Sequence, residues 1–208
     1  MSETTDLLKK IIRTEPIQQR SSARITLLLD AAAEIISEHG IEGLTTSDVA
    51  TKSKSSVGVV YRYFPNIRSL LQALAARNME RFMERLEVAI PPDAARWVGG
   101  LDTAIDCYVD MMRSEPGFRA IRFGDIIDDR LLEPDVNRGG MLSQLFMSLL
   151  TDHYGITRSD DLMFRLEVAV EVSDALLKRA FQHDPVGDER FIERSRDLVR
   201  AELALVSA

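Results

Sequence analysis

A single cysteine, Cys107, excludes an internal disulfide framework and a cysteine-built zinc site. Histidine is nearly as scarce. His39, His153 and His183 stand far apart, and no Glu-x-x-His spacing marks a metal site inside a helical bundle. Neither a Gly-x-Ser-x-Gly elbow, a Walker loop nor a dinucleotide fingerprint occurs, which removes the usual sequence grounds for an enzyme. No metal and no cofactor are therefore expected. Apolar runs are short, and none approaches the roughly 20 residues needed to span a bilayer. The polar first 20 residues lack the apolar stretch of a secretory signal. The expectation is a cytoplasmic chain with no membrane partner.

What is present is apolar content sufficient for a packed core, with 45% hydrophobic and 28% charged residues. The net charge of −7 is unevenly spread: residues 1–70 hold nine Lys or Arg and eight Asp or Glu, residues 71–208 hold 17 and 25. A surface for a polyanion therefore belongs in the N-terminal third. No segment alternates with period two, whereas apolar residues recur at helical spacing along most of the chain. The expected fold is all-α with about nine helices: 23–38, 47–53, 56–63, 67–90, 94–113, 118–127, 136–154, 159–182 and 189–206. Residues 1–20 read as a flexible arm, 21–70 as one domain and 71–208 as a second, with Pro91-Pro92 the clearest break within the chain.

The two short helices carry the functional signal. Thr46 is placed to cap the first, and Ser56 opens the second. Two helices of this length joined by a tight turn, behind a longer helix, form a helix-turn-helix, whose second helix fits the major groove. On that second helix Val60 and Phe64, four residues apart, form the packing side. Val57, Val59, Tyr61 and Tyr63 are left to face partly outward, and Gly58 permits close approach to DNA.

Residues 22–70 resemble the DNA-binding domain of the tetracycline-repressor (TetR) family. The match runs through Ala31-Ala32-Ala33-Glu34-Ile35-Ile36, His39-Gly40, Ile41-Glu42-Gly43-Leu44-Thr45-Thr46-Ser47-Asp48-Val49-Ala50 and Gly58-Val59-Val60-Tyr61-Arg62-Tyr63-Phe64-Pro65-Asn66. The resemblance implies that Thr46 and Ser47 meet phosphate or a base edge. It implies that Ser56, Val57, Gly58 and Val59 face the major groove and that Tyr61 and Tyr63 touch the DNA backbone. Three departures stand out. Lys54-Ser55 fills a turn where the family usually has Gly-Val, so Lys54 should cost about 1 kcal/mol or slightly alter the turn, and Ser55 replaces a buried valine and weakens the packing. Ile67 stands where a phosphate-binding lysine is common, with Arg68 next to it as a substitute.

The resemblance further implies a transcriptional regulator, by family default a repressor, that binds a palindromic double-stranded DNA operator as a homodimer. The last two helices supply apolar stripes for pairing: Leu162, Leu166, Ala169, Val172, Leu176 and Ala180, then Phe191, Leu198, Val199, Leu203 and Leu205. The same stripes would also close a protomer's own core. Between them and the DNA domain, Met and aromatic residues concentrate. Trp97, Cys107, Met111, Phe118, Phe123, Phe146 and Met147 are candidates to line a site for a small, mostly apolar effector, although a plain helical core has the same composition. A helical interaction module without DNA binding is the rival reading.

Overall fold

The computed structural model describes residues 19–90, 97–121 and 140–204. Among these, eight α-helices and one 3-10 turn form, and no strand. In chain order they are α1 (Gln19–His39), the 3-10 turn (Ile41–Gly43), α2 (Thr46–Lys52), α3 (Val57–Tyr63), α4 (Ile67–Ala89), α5 (Trp97–Ser114), α6 (Gly140–Tyr154), α7 (Asp160–Phe181) and α8 (Glu189–Leu203). The all-helical expectation holds. The helix expected over 118–127 does not begin as one, because Gly117 is left-handed at φ 74° and residues 115–120 run as turns. The remainder of that stretch and the N-terminal arm, apart from residues 19 and 20, lie outside the described residues.

The helix ends follow side-chain chemistry. Each of the first backbone N–H groups of a helix lacks an internal acceptor, so an oxygen at the N-cap stabilises it by about 1 kcal/mol. Asn66 Oδ1 accepts from the Ser69 amide at 2.8 Å ahead of α4, Ser159 from Leu162 at 3.1 Å ahead of α7, and Asp188 from Arg190 at 3.0 Å ahead of α8. For α2 the cap is Thr45, not Thr46. Thr45 Oγ1 accepts from the Asp48 amide at 3.1 Å with extended backbone, while Thr46 is already helical.

The chain forms two compact units. The first contains the described residues 19–80 and 115–121. Its core draws Leu28, Leu29, Ala32, Ile35 and Ile36 from α1, Val49 and Ala50 from α2, Val60 from α3 with Phe64 just beyond it, and Leu70, Leu71 and Leu74 from α4. The spacing on α1 is what an amphipathic helix requires to bury one stripe. Arg77 of α4 donates to Asp30 of α1 at 2.6 Å, tying the two long helices. The 115–121 segment closes the same core through Ile121, whose carbonyl accepts from Asn78. Gly117 lies so near α1 that a Cβ there would sit 2.8 Å from the Ala33 carbonyl oxygen.

The second unit contains the described residues 81–90, 97–114 and 140–204. Its α7 and α8 pack antiparallel. Arg165 near the start of α7 reaches Glu202 near the end of α8, and Arg179 near the end of α7 stacks 5.3 Å from the Phe191 ring. Arg200 meets both carboxylate oxygens of Asp102 through its Nε and Nη2, and Arg196 pairs with Asp106, so α8 is bolted to α5. Phe82 places its ring edge-on to both Tyr108 and Phe146, each at 6.4 Å, joining α4, α5 and α6.

Candidate nucleic-acid interface

The first unit builds the helix-turn-helix from the residues upward. A buried Val60 at 0% exposure and Phe64 anchor α3 to the core, as their four-residue spacing requires. That anchoring turns the opposite side outward. Val57 is 39% and Tyr61 51% exposed, Ser47, Ser56 and Gly58 are exposed, and Thr46 and Val59 are half-buried. Tyr63 is half-buried and packs against the core. Ser56 caps α3, accepting from the Val59 amide at 3.3 Å. Its hydroxyl is thereby partly committed within the protein.

Two expected contacts that are 15 positions apart in sequence meet. The Thr46 hydroxyl donates to the Tyr61 phenol oxygen at 3.3 Å, so the first turn of α2 and the exposed ring of α3 hold each other in place. Both oxygens remain near the surface, and the phenol O–H still has its proton to give. Gly58 carries a different signal. A Cβ at this position would meet nothing closer than Ser56 Oγ at 3.9 Å, and its φ lies outside the left-handed region. Neither packing nor backbone geometry demands glycine there, although glycine inside a helix costs roughly 0.5–1 kcal/mol relative to alanine.

The turn between α2 and α3 is a Schellman closure. The Ser55 amide bonds the Ala50 carbonyl at 2.8 Å, and the Lys54 amide bonds the Thr51 carbonyl at 3.1 Å. That geometry places Lys54 in the left-handed region at φ 51°, so of the two outcomes left open by the sequence the turn keeps its shape and Lys54 takes the unfavourable backbone. Lys52, by contrast, is held by Glu38 at 2.8 Å and Glu34 at 3.2 Å on α1. The Glu38 hydrogen bond is the main reason the Lys52 pKa lies above the ordinary lysine value, and Lys52 in turn lowers that of Glu38. Arg24 donates to Ser55 at 3.4 Å from α1, a contact between the long helix and the turn that sequence spacing could not reveal. Ile67 packs against the core, and Arg68 beside it is exposed.

The candidate effector residues are distributed differently. Cys107, Met111 and Met147 are buried in the second unit and Phe146 is half-buried there. Phe118 is fully buried in the first unit. The side chain of Trp97, and Phe123 altogether, lie outside the described residues. Burial raises the Cys107 pKa, with Asp110 and Asp106 adding to the effect. Among the described residues no group of three or more His, Cys, Asp or Glu could hold a metal ion, and no helix is long and apolar enough to cross a membrane.

Comparison with known proteins agrees with this geometry. Residues 28–74 match the family described as bacterial regulatory proteins, tetR family. Residues 95–206 match the tetracyclin repressor-like C-terminal domain. A TetR-family transcriptional regulator from Streptomyces coelicolor, known from its crystal structure, is 38% identical, covering 90% of this chain and 99% of that one with a TM-score of 0.76. Two regulators of Bacillus subtilis strain 168 are similar over shorter stretches. An uncharacterized HTH-type transcriptional regulator, YvdT, is 26% identical over 92 residues, 44% of this chain and 45% of its own length. A fatty acid metabolism regulator protein is 34% identical over 67 residues, 32% of this chain and 34% of its own. The chain thus spans less than half the length of those two relatives. A helix-turn-helix with its recognition side exposed, matched together with a family-specific C-terminal domain over more than half the chain, leads to one assignment: the protein belongs to the TetR family of DNA-binding transcriptional regulators.

Proposed function

We propose that this regulator is a cytoplasmic repressor that binds a roughly palindromic operator as a homodimer and is released by a small, mostly apolar ligand. The observation that carries the DNA part is the outward side of α3. Val57 and Tyr61 are exposed, and Gly58 is a glycine that the protomer's own packing does not need. Valine methyls suit thymine methyls and offer no hydrogen bonds, so Val57 and Val59 read T-containing steps. Thr46, Ser47 and Ser56 supply hydroxyls to phosphate or base edges, and Tyr63 adds backbone contact. The Tyr61 hydroxyl, steadied by Thr46, serves phosphate.

Pairing through α7 and α8 is supported by apolar side chains that the protomer leaves partly uncovered. Phe164 is 62% exposed, and Val168, Val172 and Leu176 continue at four-residue intervals, all half-buried. Phe191 and Leu198 on α8 are also half-buried. The Arg165–Glu202 and Arg179–Phe191 contacts set the antiparallel register, which brings Leu198 level with the middle of α7. Such a stripe on two adjacent helices suits a two-fold four-helix bundle. Two recognition helices on a two-fold axis would then read half-sites one helical turn, about 34–36 Å, or more apart.

The effector reading rests on the adaptable Met and aromatic residues of the second unit, Met111, Phe146 and Met147 among them. An effector need only favour one of two protomer arrangements. A coupling of roughly 1–3 kcal/mol would weaken operator binding about 5- to 150-fold. The decisive experiment measures binding of duplexes flanking the protein's own gene by anisotropy. Wild type should bind a subset of these duplexes tightly, and Tyr61→Phe should bind every duplex more weakly by a similar factor, because phosphate carries no sequence. A Tyr61→Phe protein that changes its preferred bases would contradict the phosphate role. A panel of apolar metabolites, screened by thermal shift, tests the effector. A melting temperature unmoved by every compound would remove it from the reading.

A further inference from the structure

Lys54 sits at an energetically unfavourable place. The Schellman closure of α2 forces the residue after the cap into the left-handed region, and a side chain with a Cβ is disfavoured there. Nothing in the protomer compensates. The lysine side chain is exposed, and among the described residues its ammonium has neither an ion pair nor a hydrogen bond. Two positions earlier, Lys52 is clamped by Glu34 and Glu38 and its charge is already spent. The backbone strain at 54 therefore maintains one uncommitted positive charge in the turn that leads into α3. Val57 is three positions further on, so the Lys54 Cα lies at most about 11 Å from the start of the recognition helix. A strained position that persists without an internal reward is a candidate for function.

We infer that Lys54 contacts a phosphate of the duplex beside the groove that α3 enters, adding sequence-independent affinity that the strained turn exists to deliver. This inference rests on the DNA-binding reading of α2 and α3. A lysine is a point charge on a flexible stem, well suited to a phosphate. Its contribution appears as released counterions, about 0.9 in the slope of log K against log salt for each phosphate neutralised.

The test compares wild type, Lys54→Gly and Lys54→Arg by anisotropy on one bound duplex and one unrelated duplex, between about 0.05 and 0.3 M salt. Lys54→Gly should raise Tm by about 2–4 °C, because glycine relieves the left-handed strain. Because the homodimer carries the substitution twice, it should weaken binding to both duplexes about 25- to 100-fold near 0.1 M salt and make the salt slope shallower by about 1.8. Lys54→Arg should keep the wild-type affinity and slope. Lys54→Asn, uncharged but tolerant of left-handed backbone, should follow the glycine variant in DNA binding. If Lys54→Gly gains stability and binds with wild-type affinity and slope, the inference is overturned while the DNA-binding reading stands. A loss of affinity with an unchanged slope overturns it too, since the turn's shape and not its charge would then matter. A wild-type chain that binds no duplex at any salt overturns both.

Discussion

Replacing Leu198 with glutamate tests the pairing surface, and the size of the effect follows from where the side chain sits. Leu198 is half-buried in the protomer, so a partner would cover roughly the other half. Full burial of a leucine stabilises by about 1.5–3 kcal/mol, so the lost half amounts to about 1 kcal/mol. A carboxylate left there without a partner costs about 1–3 kcal/mol more. In a two-fold interface each substitution occurs twice, so the dimer weakens by about 4–8 kcal/mol, or about three to six decades in Kd. A nanomolar dimer would become monomer at micromolar concentration in sedimentation velocity, with helical circular dichroism retained. Leu176→Glu, also half-buried, should act in the same way. Leu203→Glu should not. Leu203 is fully buried within the protomer, and a carboxylate there should cost helicity and stability before it affects association. If Leu198→Glu and Leu176→Glu remain dimeric with native helicity, α7 and α8 are not the pairing surface.

Gly58→Ala should stabilise the isolated protein by about 0.5–1 kcal/mol in urea unfolding, since its methyl meets only Ser56 Oγ at 3.9 Å, yet weaken operator binding; equal or tighter binding would refute the close-approach role. Cys107 should react slowly with a thiol reagent in the native protein. Burial raises its pKa, so the thiolate fraction is small near neutral pH and grows as pH rises toward the raised value; prompt native labelling at pH 7 would contradict this. Ser195→Ala should be neutral or stabilising by up to about 1 kcal/mol. Its hydroxyl is fully buried and has no hydrogen-bond partner among the described residues, and a marked fall in Tm would show that a partner exists.

Local chemistry made much of this protein legible before any coordinates. The helical spacing of apolar residues and the Val60–Phe64 anchor depend on residues within about one turn of each other, where sequence distance and spatial distance agree. The choice between adjacent threonines was less legible, since either hydroxyl can cap α2, and backbone conformation selects Thr45. Three matters required the folded chain. Periodicity places Leu198 and Leu203 on one broad apolar stripe, yet only the neighbours contributed by other helices leave the first half-covered and seal the second. Phe118 reads like its Met and aromatic neighbours in sequence, but the turn at Gly117 delivers it to the unit built around α1. The Thr46–Tyr61 and Arg24–Ser55 contacts join residues 15 and 31 positions apart. A repeat of 3.6 residues specifies which side of a helix is apolar; how much of that side is covered, and by what, depends on long-range packing that no local pattern encodes.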